Sequence, residues 1–533
     1  MNPTAPATKR KRPTISNVAT LLIVTSLFGQ LLGFMRTKLV NGNFPLHGPG
    51  STDAYFAAFT IPDFFFFTLS AGALGVALMP LLSDRLHKSG RKAVWDLSAS
   101  VMNFLAIIMF FVGLIILIFA EPLLKYGVAP GLASNPEQLN DAVTIMRLLA
   151  FNPLFFTLSG VLTSAQQTMG RFFFYAIAPI FYNLSIIVSI FIFKDNIGIV
   201  GLGIGALVGA ILQLVVIATG VTQLNFKWRP HILWRSGDFR LVLKNLPPRS
   251  LDQGMDQVSN IVETRIASGL GSGNISNFNN AYTLSTAPIL LVGTAISTAA
   301  FPRLNARLSQ GRPDLFRKDF LQILRVMIWI SAPLVVVSYF CRGYLARLIF
   351  AKGNDEIAVI FGFLTVAIFA RIMYSLLSRW FYAQKDTRTP FYVSILTVGA
   401  NIGLAMHLGK PGAYGVAGLA LAQSIAATAE VILLFILMVI RDHKLLDRAF
   451  WGGVWRIMSV TGFSLLACFA MITLYPLGAL DRGFITLGSK VALITIVTFG
   501  VHLTVSTLFG LDEAKPVVAK FKSIILKPIR LGQ

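Results

Sequence analysis

Val101-Met102-Asn103-Phe104-Leu105-Ala106-Ile107-Ile108-Met109-Phe110-Phe111-Val112-Gly113-Leu114-Ile115-Ile116-Leu117-Ile118-Phe119-Ala120 runs without a single charged side chain. A bilayer's hydrocarbon core accepts about 20 apolar residues in helical form, and this stretch has that length and composition. A helix that only lines a soluble core keeps a polar face. Here Asn103 is the one strongly polar residue, so the run reads as a span surrounded by lipid or by other spans.

Working outward in both directions, stretches of the same kind recur from near the N-terminus to residue 510. The chain has 533 residues, 55% of them hydrophobic and 13% charged, far more apolar surface than one water-soluble core hides. Gly, Pro and charge punctuation divides it into fourteen spans, at 14–40, 52–84, 92–120, 138–168, 172–193, 199–223, 240–269, 275–304, 318–340, 355–383, 389–408, 413–440, 453–476 and 484–510. The expected fold is therefore an all-α polytopic membrane protein. Lys9 to Arg12 precede the first apolar run as they would in a signal peptide. That run carries Gln30 and Arg36 and lacks a small-residue cleavage site, so it is expected to stay as the first span.

The formal charge, 46 Lys and Arg against 23 Asp and Glu, would suggest nucleic-acid binding in a soluble protein. The basic residues instead fall in alternate loops: Arg85 to Lys92, Arg171, Lys227 to Lys244, Arg303 to Lys318, Lys385 and Arg388, Arg441 to Arg448, and the tail from Lys515 to Arg530. Loops 41–51, 128–137 and 270–274 carry almost none. This alternation excludes a nucleic-acid partner and places both termini in the cytoplasm. The loop with Arg342, Arg347 and Lys352 runs against it, since the count puts that loop outside.

Pro80-Leu81-Leu82-Ser83-Asp84-Arg85-Leu86 finds a counterpart in Pro302-Arg303-Leu304-Asn305-Ala306-Arg307-Leu308. Ala165-Gln166 and Asn183 find Ala383-Gln384 and Asn401, in the same order along the chain. Spans one to six and seven to twelve thus read as two copies of a six-helix lobe related by an axis along the membrane normal. The expected organisation is a basic N-terminus (1–13), an N-lobe (14–226), a C-lobe (227–445, with a cytoplasmic linker at 227–240), a pair of extra spans (446–510) and a basic tail (511–533).

Ionisable residues inside a span are costly and mark functional sites by default. In the seventh span Asp252, Asp256, Asn260 and Glu263 share one face, which is wet or ion-binding unless Asp252 pairs with Arg249 and Glu263 with Arg265. Arg36 ends the apolar part of the first span, and Asp53 and Asp63 lie early in the second. A guanidinium suits a diphosphate because its planar fork donates two hydrogen bonds at once. The alternative is an Arg36–Asp53 pair that pins the first hairpin. Arg147, Arg371, Arg379 and Glu430 read as interhelical or snorkelling groups, and the aromatic run Phe64 to Phe67 as packing or lipid-facing surface. Cys341 and Cys468 read as small buried hydrophobes. No phosphate loop, metal cluster or Ser/His/Asp set appears, so the chain is expected to be a transporter and not an enzyme, energised by an ion gradient or the membrane potential.

Three stretches resemble the MurJ (MviN) family of the multidrug, oligosaccharidyl-lipid and polysaccharide exporter superfamily. They are Leu32-Gly33-Phe34-Met35-Arg36 with Thr52-Asp53-Ala54-Tyr55-Phe56-Ala57-Ala58-Phe59-Thr60-Ile61-Pro62; Ala267-Ser268-Gly269-Leu270 through Gly273-Asn274-Ile275-Ser276 to Phe301-Pro302-Arg303-Leu304; and Phe381-Tyr382-Ala383-Gln384-Lys385-Asp386-Thr387-Arg388-Thr389-Pro390. The resemblance implies an alternating-access flippase in the bacterial inner membrane. Its cargo would be an undecaprenyl-diphosphate-linked peptidoglycan precursor, lipid II, moved from inner to outer leaflet. A groove for the lipid tail would lie on the last two spans, and cell-wall synthesis machinery would be a partner. Carried over, Arg36 and Asp53 become substrate-binding residues, with Asp63, Gln30 and Thr283 as weaker candidates. Sodium becomes the candidate coupling ion, with Asp256 and Asn401, and Glu263 beside them, as ligands. The family's other cavity arginines fall on Gln30, Phe66, Phe67 and Thr283, and its Glu-Gly on Ala71-Gly72. Two further readings stand beside this one: a transporter of another polyprenyl-linked glycan, and a MATE-like drug or cation antiporter.

Overall fold

The computed structural model describes residues 15–68, 73–224, 226, 228–350, 354–478, 481 and 483–519. The Lys9 to Arg12 run, Ala71-Gly72, Lys227, Lys352 and the tail from residue 520 lie outside them. Everything regular among the described residues is helical: α1 (Ile15–Asn43), α2 (Thr52–Phe66), α3 (Ala73–Pro122), α4 (Pro136–Leu149), α5 (Asn152–Thr168), α6 (Phe173–Phe193), α7 (Val200–Thr222), α8 (Gly237–Gly269), α9 (Asn274–Pro288), α10 (Ala295–Ser309), α11 (Pro313–Phe340), α12 (Arg342–Ile349), α13 (Asn354–Ala383), α14 (Arg388–Leu408), α15 (Gly415–Arg441), α16 (Arg448–Leu474) and α17 (Phe484–Leu508).

Eleven of the described helical segments are long and apolar enough to cross a membrane, which is consistent with the fourteen spans expected. The differences have local causes. α2 has 15 residues of α-helix before its turns widen at Phe67, and α8 carries too many charges to qualify by composition. The expected break between the second and third spans falls at Gly90, whose φ of 77° interrupts α3; a second departure from helical angles, at Phe119, lies near the helix's end. The eighth span is two helices, α9 and α10, joined by a wider π-turn over Ile289–Thr294 directly after Pro288. Proline supplies no N–H to the ladder, and the wider turn absorbs the defect.

The chain forms two compact units. One takes the chain up to Asn43, Ile61–Leu123 and Asn140–Gly254; the other takes Phe44–Thr60, Leu124–Leu139 and the chain from Met255 onward. In the first unit α3 packs on α5, and α6 and α5 both pack on α7. Along residues 101–120, Val101, Leu105, Met109 and Ile116 are buried in the unit, while Phe110, Phe111, Ile115 and Ile118 stay exposed, as a lipid-facing helix requires. α6 and α7 meet backbone to backbone. A Cβ on Gly205 would lie 2.2 Å from the Ser189 hydroxyl, a spacing only glycine permits.

In the second unit α14 and α13 both pack on α15, and α9 packs on α13. α16 and α17 pair with each other and dock on α11 through Trp329, Ile457, Val460, Val336 and Ile494. Arg342 and Arg347, the cations that ran against the loop rule, belong to the short helix α12. There Arg342 lies over the Tyr339 ring, and Arg347 donates to the Gly478 carbonyl at 2.8 Å.

Candidate functional site

Two buried polar constellations stand out, both in the second unit. The first forms at the start of α9. Gly273 holds φ at +90°, and a Cβ there would strike the His47 ring at 2.5 Å, so the residue just before the helix must be glycine. The first N–H groups of a helix have no partner inside it. Asp53, only 1% exposed, supplies one: its carboxylate accepts from the Gly273 N–H at 2.5 Å and, on the other oxygen, from the Ser276 N–H at 2.8 Å and the Ser276 hydroxyl at 2.7 Å. An anion at a helix N-terminus also gains from the helix dipole. The Thr52 and Ser276 hydroxyls lie 2.7 Å apart, His47 Nδ1 is 2.9 Å from the Ser272 carbonyl, and Gln138 donates to the Ser51 hydroxyl at 2.5 Å. Asp53 therefore ties the start of α2 to the start of α9. Its oxygens go to backbone and hydroxyl donors and not to an arginine.

The second constellation lies deeper. Asp256, Asn260 and Glu263 follow one another along α8, from exposed through intermediate to buried. Glu263 Oε1 accepts from the Asn401 amide of α14 at 2.8 Å, and Oε2 from the Gln423 amide of α15 at 2.8 Å; Asn401 also reaches the Ser259 hydroxyl at 3.2 Å. Arg371 of α13 lies among Asp256, Glu430 and Glu263, close enough for their charges to act on it, and its buried Nε has no hydrogen-bond partner. The acidic face read from residue spacing is thus exposed at Asp256 and enclosed at Glu263. The Glu263–Arg265 alternative is not what forms: Arg265 donates to the carbonyls of Tyr126 and Gly127.

A sodium ion needs several oxygen ligands. Around Glu263 the buried Asn401 Oδ1 is without a partner, but both carboxylate oxygens already receive amide donors, and Arg371 brings a positive charge to the same cluster. These residues fit a carboxylate compensated by a guanidinium better than one holding a bare cation.

The remaining sequence candidates are scattered. In the first unit Arg36 is half-buried, near enough to Asp63 for their charges to interact. Gln30 is exposed, and the Phe66 ring meets that of Phe156 at a tilt of 51°, with ring centres 4.8 Å apart. In the second unit the Thr283 hydroxyl folds back onto the Asn279 carbonyl at 2.9 Å. Arg379 donates to the hydroxyls of Ser297 and Thr298 at 3.0 and 2.8 Å, and Glu430 accepts from Ser394 at 2.6 Å. Sequence reasoning passed over Ser276 and Gln423. Gln423 was visible as a lone amide in an apolar span, while Ser276 acts through a backbone group that no side-chain pattern reports.

The family described as lipid II flippase MurJ matches residues 50–494. The chain belongs to that family. Among its MurJ relatives, a probable lipid II flippase MurJ from Borreliella burgdorferi is 25% identical over 436 residues, covering 80% of this chain and 84% of the relative. A lipid II flippase MurJ from Burkholderia cenocepacia is 25% identical over 430 residues, covering 77% and 81%. A solved lipid II flippase MurJ in an inward closed conformation shares the fold with a TM-score of 0.76 at 23% identity, over 92% of this chain and 98% of that one. A multidrug MATE transporter of the MOP superfamily shares it at a TM-score of 0.63 and 16% identity, over 80% and 98%. Both constellations fall within the matched residues: Asp53 near their start, Glu263 close to their middle, and Asn401 and Gln423 in their second half.

Proposed function

We propose that this chain is a lipid II flippase of the bacterial inner membrane, with cytoplasmic termini, carrying the undecaprenyl-diphosphate-linked precursor from the inner to the outer leaflet and handing it to cell-wall synthesis. The observation that carries the reading is the family match over residues 50–494, in which the Asp53 latch is embedded. Alternating access needs a contact that is made in one state and broken in another. The latch suits that role: it joins segments far apart in the chain, and it is built from hydrogen bonds to a charged group, which are strong when made and quickly rehydrated when opened.

In this reading Arg36, with Asp63 close by to set its orientation, donates to the diphosphate. Asp256 keeps the exposed end of the α8 face hydrated, and the Glu263 cluster fixes α8 against α14 and α15. The driving force is the membrane potential acting on the anionic cargo, worth about 2.3 kcal/mol per charge per 100 mV.

The test is complementation of a bacterium depleted of its own lipid II flippase, paired with lipid II flipping in vesicles. The wild-type chain should restore growth and flip lipid II, and Arg36→Ala should lose at least tenfold in flipping while keeping its expression level and melting profile. Growth rescue without lipid II transport, or full activity of Arg36→Ala, overturns the cargo or the residue assignment respectively.

A further inference from the structure

The chain has two cysteines, and the fold brings them together. Cys341 ends α11 and starts α12; Cys468 lies in the last two turns of α16. Both are fully buried in one apolar cluster with Val337, Tyr344, Leu487 and Ile494, with the two thiols close enough to act on each other. Thr498 of α17 lies beside Cys468, its hydroxyl donating to the Ile494 carbonyl at 2.7 Å. The neighbouring pair repeats the juxtaposition, with the Phe340 and Phe469 rings 6.4 Å apart. The same ends of α12 and α16 are tied twice more: the Tyr344 hydroxyl donates to the Tyr475 carbonyl at 2.7 Å, and Arg347 to that of Gly478.

We propose that Cys341 and Cys468 close into an intramolecular disulfide that staples α16, and α17 with it, to the end of α11. The helix ends involved are those that the proposed orientation places on the extracytoplasmic side, where disulfides form and persist. The oxidant is the disulfide of an extracytoplasmic dithiol oxidase. One cysteine thiolate attacks it, forming a mixed disulfide and releasing one oxidant thiolate. The second cysteine then attacks the mixed disulfide, forming the Cys341–Cys468 bond and expelling the other oxidant thiolate. Two electrons pass to the oxidant, and the two cysteine protons end on its thiols. Because both thiols are sealed in the finished structure, exchange takes place before α16 docks or while the helix ends part, and the closed bond is then shielded from reductants.

A chain with only two cysteines makes the test direct. Full-length protein in native membranes is either treated with diamide, a two-electron thiol oxidant, for long enough for the helix ends to part, or unfolded in dithiothreitol; each sample is then denatured in N-ethylmaleimide and weighed. The oxidised protein should carry no maleimide and the reduced protein two. Cys341→Ser should carry one in both arms. In a second arm, a protease site inserted between Asp442 and Asp447 is cut. The α16–α17 fragment should remain attached on a non-reducing gel and leave on a reducing one. Two alkylated thiols after oxidation, or a disulfide-linked dimer of whole chains, overturns the proposal.

Discussion

Asp53 and Glu263 are both carboxylates buried in the second unit, and they are satisfied by different kinds of donor. Asp53 takes two backbone N–H groups and a hydroxyl at the start of one helix, so its bonds exist only while α2 and α9 hold one register. Glu263 takes two side-chain amides from α14 and α15, with Arg371 nearby, so its bonds travel with flexible side chains. A backbone-bound acid suits a contact that opens and closes as a whole. An amide-bound acid suits one that persists while the helices around it adjust.

The largest expected effect comes from removing the first kind. Asp53→Ala leaves two helix-start N–H groups and Ser276 without their acceptor, at a cost of about 3 kcal/mol to the latched state. Flippase complementation should fail, and the variant should spend more time unlatched, seen as faster hydrogen exchange at Gly273 and Ser276. Protection equal to wild type would remove the latch from the mechanism.

Glu263→Gln should cost less, about 1–2 kcal/mol, because an amide can still accept one of the two bonds. It also leaves Arg371 with less compensation, so adding Arg371→Met should recover part of the lost stability, where two independent defects would add. If Arg371 provides the positive charge, flipping in vesicles should be the same in sodium as in potassium. A strong sodium requirement would erase the contrast drawn between the two acids.

The smallest effect lies outside the spans, at Asp386 between α13 and α14. Burial alone would raise its carboxyl, but hydrogen bonds from the Thr389 hydroxyl and N–H and from Arg441 outweigh it and bring it to about 2, below the ordinary 3.8. A depressed carboxyl contributes stability above its unfolded value and loses it as pH falls through its folded one. Asp386→Asn should therefore melt lower than wild type at neutral pH, and the gap should close as the pH drops from 3.8 toward 2. A gap that stays constant would mean that the hydrogen-bond geometry, and not the charge, stabilises this turn.

Residues 101–120 announced the fold because lipid allows few other arrangements for so apolar a run, and α3 exposes the expected greasy face. Asp53 and Glu263 could also be singled out, since an acid in a span is conspicuous. Their partners could not. Ser276 is far from Asp53 in the chain and donates partly through its backbone, and the Arg265 that seemed placed to meet Glu263 serves carbonyls at Tyr126 and Gly127. The two cysteines met no spacing rule because tertiary packing alone joins them. What the chain's local pattern encodes is which groups need partners, and only the fold decides who those partners are.

The contact of α6 with α7 bears on how variation in this chain should be interpreted. With Gly205 pressed onto Ser189, even one added methyl must push two helices apart, so this pair should tolerate fewer substitutions than many positions that handle cargo. A survey of variants would find intolerance there and could mistake it for chemistry. Intolerance at Gly205 measures the distance between two helices, whereas intolerance at Asp53 would measure its bonds to Gly273 and Ser276.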